Sequence, residues 1–336
     1  MAMPLGADAE VEAFGQSEAL TKRIAHILEQ YPDGPSIMSE LIQNADDAGA
    51  TRVCVLYNSC TYGTSTLLSP EMAKWQGPAL YCYNDAEFTD ADFLSLARIG
   101  QASKLQRAST TGRFGLGFNS VYHFTDLPSI VSANSIVMFD PHATHLPGIS
   151  AANPGIKIRF ANANIVKQYP DQFAPFKGMF GCDLTQHYDG TLFRFPLRTK
   201  KLAKSSEIKR RGYSELEIVD LFKSFQGSIA DTMLFLRNVR QVEVYLQSAI
   251  DQSPVLLYSA EVPAEDRGDS WRKIDRFMRC DVDPGNNGDT SGLAAKRAFY
   301  ERLRSTPQEE LPSVTQKLPM NFYANMWNWK RQPKSI

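Results

Sequence analysis

Glu40-Leu-Ile-Gln-Asn44-Ala-Asp-Asp47, then Asn84-Asp85, then Gly112-Arg-Phe114-Gly115-Leu-Gly117-Phe118 are the stretches from which the fold can be read. The first belongs on a helix. Pro35 suits a first helical position, Asp33 or Gly34 can cap it, and Gly49 fits the residue just past the end. Between these limits Ile37, Leu41, Ala45 and Ala48 recur at helical spacing and predict a buried face. Glu40, Asn44 and Asp47 stand at i, i+4 and i+7, which at about 100° per residue places them within roughly a 60° arc beside that face. Asp46 falls roughly 100° from Asp47 and is expected to face water. A solvated polar face would carry the same residues. An asparagine inside a helix is mildly unfavourable, which leans toward a role for Asn44.

Val53 to Tyr57 reads as a strand, and Ala79 to Tyr83 as a second strand that ends at Asn84-Asp85. A carboxylate at the mouth of a strand can accept a hydrogen bond from an exocyclic amine; the bland alternative is a turn aspartate. The run from Thr110 to Ser120 is glycine-rich and precedes the helix-compatible Val121-Tyr-His-Phe124. Glycine permits close backbone approach, and a turn opening a helix offers free N–H groups to a phosphate. The spacing G-x-x-G-x-G differs from the dinucleotide fingerprint, and no Gly-Lys-Ser/Thr follows as in a Walker loop.

In combination these residues resemble the GHKL ATPases, the group of the ninety-kilodalton heat-shock chaperones, gyrase B, MutL and histidine kinases. Gly190-Thr191-Leu-Phe-Arg-Phe-Pro-Leu197 is similar to that group's later Gly-Thr strand. The likeness is closer still to the sacsin-type repeat, carried by Phe14-Gly-Gln16, Tyr31-Pro-Asp-Gly34, Glu40 to Ala50, Tyr83-Asn-Asp-Ala86, Ser120-Val-Tyr-His123 and Asp140-Pro-His142. The resemblance implies that Glu40 is the general base, that Asn44 coordinates Mg²⁺, and that Asp47 is a supporting acid. It implies that Asp85 accepts from the adenine amine, with Thr191 in support. Gly112, Phe114, Gly115, Gly117 and Phe118 match the phosphate loop. Arg98 to Thr111 matches a mobile ATP lid, from which Lys104 reaches a phosphate. Magnesium suits such a set, because it takes few protein oxygens besides phosphate oxygens. The family's second motif is usually Asp-x-Gly-x-Gly; here Asp85-Ala-Glu-Phe has no glycine, which bears on the shape of the adenine side.

Composition agrees with a soluble globular chain. Hydrophobic residues make up 43% of 336, enough for a core, and the formal charge of −1 gives no general attraction to nucleic acid or membrane. No run of apolar residues is long enough to span a bilayer, and the start has no basic signal region. Cys54, Cys60, Cys82, Cys182 and Cys280 lack metal spacing and read as reduced thiols of a cytoplasmic compartment. The basic run Lys200, Lys201, Lys204, Lys209, Arg210 and Arg211 reads as a solvated loop rather than a binding patch. His26 sits in an ordinary amphipathic helix rather than a phosphoacceptor motif. Ile218, Leu221, Phe222, Phe225, Ile229, Met233 and Leu236 repeat at helical spacing as core. Gln241 to Leu246 and Val255 to Tyr258 read as a strand pair, and Asp283 to Gly292 as a turn-rich linker.

The expected architecture is an α/β two-layer sandwich of the Bergerat (GHKL ATPase) fold, a mixed, mainly antiparallel sheet with helices on one face. Residues 13–250 form the ATP-binding domain with its lid at about 98–117. Residues 251–336 form a partial second region and tail, the mark of a fragment of a longer protein. The expected function is a Mg-ATP-binding, chaperone-like ATPase whose partners are ATP and client proteins or co-chaperones. The alternative is a nucleotide-responsive scaffold without useful turnover. A DNA topoisomerase or mismatch-repair ATPase is disfavoured by neutral charge.

Overall fold

The computed structural model describes residues 18–97, 117–160, 164–233, 236–251 and 253–262, and the backbone of 315–317. The chain begins with α1 (Leu20–Gln30) and α2 (Pro35–Asp47), followed by β1 (Arg52–Asn58), β2 (Ala79–Asn84) and α3 (Asp90–Ala97). A 3-10 helix, Gly117–His123, leads to β3 (Ser129–Ala133), β4 (Ser135–Phe139) and β5 (Gly155–Arg159). The short helices α4 (Ile165–Gln168) and α5 (Pro170–Phe173) precede β6 (Tyr188–Pro196), α6 (Lys200–Ala203), α7 (Glu215–Gln226) and α8 (Ile229–Met233). Then come β7 (Gln241–Gln247), β8 (Val255–Glu261) and β9 (Thr315–Lys317).

These strands form one sheet in the order β5-β4-β3-β6-β2-β1-β7-β8-β9. The β1–β7 pair is parallel, and the other neighbours are antiparallel. Val53, Val55 and Tyr57 of β1 and Leu80 and Cys82 of β2 face one core, which they share with α1, α2 and α7. Leu56 and Tyr81 alternate to the other face. That second face is covered by Trp75, Leu146, Val166 and Phe173 from short turns and helices between strands. The sheet runs past residue 250, since β8 pairs along β7.

The helix expected from Pro35 is α2, with Gly34 as N-cap and Gly49 at φ +84 just beyond its end. Two details differ from expectation. Ala48 is exposed at the C-cap, and Asp46 is buried with Met38 and Ile42. The carboxylate of Asp46 accepts from the backbone N–H groups of Arg237, Asn238 and Val239 at 2.6–2.9 Å. A segment entering the sheet thus supplies the donors that water was expected to supply. The apolar run from Ile218 divides into α7 and α8 near Gly227, and Ser214 and Glu217 form a capping box at its start.

Arg198, just past β6, is fully buried. Its guanidinium pairs with Asp126 and donates to the carbonyls of Tyr122 (2.9 Å), His123 (3.1 Å), Thr125 (3.1 Å) and Arg211 (3.3 Å). The first two are closing carbonyls of the Gly117–His123 helix, which need donors from outside it. Replacing Arg198 by Met leaves Asp126 as an uncompensated buried charge. Arg198→Met is therefore expected to cost roughly 3–5 kcal/mol in urea unfolding, and Arg198→Met/Asp126→Leu is expected to cost less than the single change.

Candidate functional site

Glu40, Asn44 and Asp47 are half-buried on one side of α2. The Gly117–His123 helix packs against this helix, and it starts at Glu40. A side chain built on Gly117 would collide with the Glu40 carboxylate, so any larger residue there would have to push the end of the Glu40 side chain aside. The structure therefore brings Glu40 and Gly117 together across a long stretch of chain. Phe118 turns to the sheet, with ring centroids 6.0 Å from Phe193 and 6.4 Å from Phe139. Lys104, Gly112, Phe114 and Gly115, and the expected lid at about 98–117 except for Gly117, lie outside the described residues.

Thr191 is fully buried on β6, and its partner across the sheet is Asn84. The Thr191 hydroxyl donates to the Ala86 carbonyl at 2.7 Å and lies 2.9 Å from Ser132 Oγ. Asn84 is buried, faces the helices as Leu80 and Cys82 do, and accepts from Ala86 N–H at 3.1 Å. Asp85, expected beside Thr191, is exposed and turned toward the start of β1. Its carboxylate accepts from Thr51 N–H (2.7 Å), Thr51 Oγ1 (2.5 Å) and Arg52 N–H (3.0 Å). Partial burial alone would raise the Asp85 pKa, but the Thr51 and Arg52 donors outweigh it and hold the carboxyl below its ordinary value. The polar residue that pairs with Thr191 across the sheet at the end of β2 is Asn84, not Asp85. Its signal was period-2 alternation: a polar residue in phase with core positions of β2.

The far end of the Gly117–His123 helix is tied to the α1–α2 connection. His123 Nε2–H donates to the Tyr31 carbonyl at 2.8 Å, and Nδ1 accepts from Lys209. Burial, reinforced by the Lys209 ammonium, outweighs the Tyr31 hydrogen bond and holds the His123 pKa below its ordinary value. Asp33 gathers Lys209 (2.6 Å), Arg211 (3.1 Å) and the Tyr213 hydroxyl rather than capping α2. The basic run is thus only partly the solvated loop expected: Ser206 and Ile208 are buried, and Lys209 is half-buried.

A carboxylate and an amide one helical turn apart are hard oxygen donors that suit magnesium. Together the strands and helices form a two-layer α/β sandwich with a mixed sheet. The family model described as Sacsin domain matches residues 17–259, and the chain belongs to that family. Human sacsin is 42% identical over 242 residues, which cover 70% of this chain and 5% of sacsin, so the chain spans about a twentieth of that relative's length. A solved structure, the N-terminal domain of a DNA repair protein, is similar at 11% identity with a TM-score of 0.34, over 70% of this chain and 55% of that one. No helix among the described residues is long and apolar enough to cross a membrane, and Cys54, Cys60, Cys82 and Cys182 are free thiols.

The depressed Asp85 pKa gives a pH signature. Its stabilising contribution is present above the ordinary value of 3.8 and is lost as pH falls through the lower folded value. Asp85→Asn is expected to lower the urea midpoint at neutral pH and to narrow its gap from wild type at about pH 3, measured by circular dichroism.

Proposed function

We propose that this chain is a Mg-ATP-binding, chaperone-like ATPase module. The observation that carries the reading is the close approach of Gly117, the last glycine of the glycine-rich run, to the Glu40 carboxylate on α2. Glu40 acts as general base and takes the proton of the water that attacks the γ-phosphate. Asn44, supported by Asp47, would hold the magnesium ion. Magnesium bound there supplies neutralisation of phosphate charge. Gly112, Phe114, Gly115, Gly117 and Phe118 would form the phosphate-binding loop, and Lys104 would reach a phosphate from the lid.

At the base end, the engagement of Asp85 by Thr51 and Arg52 moves the recognition role to Asn84, beside Thr191. A carboxamide can pair with both an acceptor and an amine on the adenine edge. The partners are ATP and client proteins or co-chaperones, in the cytoplasm. The second reading, a nucleotide-responsive scaffold, is favoured by Thr191 having hydrogen bonds to Ser132 and Ala86 and none to a carboxylate among the described residues.

Three variants test the site, and the first separates the two readings. Glu40→Ala is expected to keep Mg-ATP affinity within a few-fold and to slow single-turnover hydrolysis by roughly 10²-fold, as for a lost general base. Asn84→Ala should weaken ATP binding, whereas Asp85→Asn should bind as wild type does. If wild type binds Mg-ATP and its negligible hydrolysis is unchanged in Glu40→Ala, the scaffold reading replaces the ATPase.

A further inference from the structure

Glu87, His187 and Asp189 converge on the surface, away from the Glu40 contact. Glu87 lies in the connection from β2 to α3. His187 immediately precedes β6, and Asp189 is its second residue, so the two flank buried Tyr188 and project to the same side. His187 Nε2 is 3.1 Å from Glu87 Oε2 and 3.5 Å from Asp189 Oδ1. One ligand atom from each of the three residues lies within 4.8 Å of the other two.

A ring nitrogen carries at most one hydrogen, so two carboxylates that repel each other have to share it. Among the described residues neither carboxylate has a lysine or arginine partner in an ion pair. The backbone holding Glu87 is fixed on both sides. Ala86 accepts from Thr191 and donates to Asn84, and Phe88 N–H donates to Ser132 Oγ at 2.9 Å. The arrangement therefore does not depend on a loose loop to bring its third ligand in.

We propose that Glu87, His187 and Asp189 form a binding site for a divalent ion of the zinc class. An imidazole nitrogen and two carboxylate oxygens suit such an ion, with water completing the coordination. Magnesium and calcium, which prefer all-oxygen sets, are poorer matches for the imidazole. The ion replaces the shared hydrogen, neutralises both acids and staples the β2–α3 connection to β6. This site is independent of the nucleotide reading.

The test uses the full chain, free of affinity tags and stripped with a chelator. Zn²⁺ is titrated by calorimetry, Co²⁺ is followed by its visible absorption band, and thermal unfolding is recorded with each ion. One ion per chain and a raised unfolding temperature are expected, since a ligand of the folded state stabilises it. His187→Ala and Glu87→Gln/Asp189→Asn should each weaken binding by more than roughly tenfold, a lower bound for losing direct ligands. His145→Ala, which alters the separate His142–His145 pair, should leave binding unchanged. Circular dichroism verifies that each variant is folded. Absence of saturable binding overturns the proposal. So does affinity that survives His187→Ala or Glu87→Gln/Asp189→Asn, or that falls as far in His145→Ala.

Discussion

The buried guanidinium of Arg198 is the constraint on which the candidate site rests. It follows β6, and its backbone N–H donates to Phe124 while its side chain gathers the carbonyls at the end of the Gly117–His123 helix. A short 3-10 helix has little stability of its own, because its closing carbonyls lack internal partners. Arg198 supplies those donors from the sheet, and Asp126 balances the charge. The opposite end of the same helix is then held where Gly117 meets Glu40. An apolar pair could match the stability of such an ion pair, but not its demand for particular carbonyls at particular angles.

Much of this was legible in the sequence, and the legible part was local. Pro35 and Gly49 mark the ends of α2, and the period of its apolar residues places Glu40 and Asn44 beside the core rather than within it. The strands at 53–57 and 79–83, and the pair after α7, follow from short apolar runs between turns. What escaped was set by partners distant in the chain. Asp46 looks like a surface acid until Arg237, Asn238 and Val239 bring three amides to it. Arg198 looks like one more basic residue in a basic region until Asp126 is folded beneath it. The position of Asn84 was recoverable, since it continues the alternation of Leu80 and Cys82, but the adjacent aspartate was the more conspicuous residue.

Charge in the basic run has a similar history. Lys209 and Arg211 do not form a field aimed outward. They converge on Asp33, which also takes the Tyr213 hydroxyl, and Lys209 fixes the tautomer of His123 by donating to Nδ1. A neutral imidazole held in this way joins the α1–α2 connection to the helix behind the glycine turn. Three separate segments thus meet around one carboxylate, consistent with a near-neutral chain that uses many of its charges internally.

The Asp46 contact also has a mechanical meaning. Glu40, Asn44 and Asp46 ride on one rigid helix, and Asp46 grips the backbone from which β7 starts. The helix cannot roll or slide by an ångström without pulling that backbone or breaking charge-assisted hydrogen bonds. β7 is in turn zipped to β8. Displacement at the Glu40 face is therefore geared to the sheet margin on the β8 side, from which the chain continues toward its C-terminal residues.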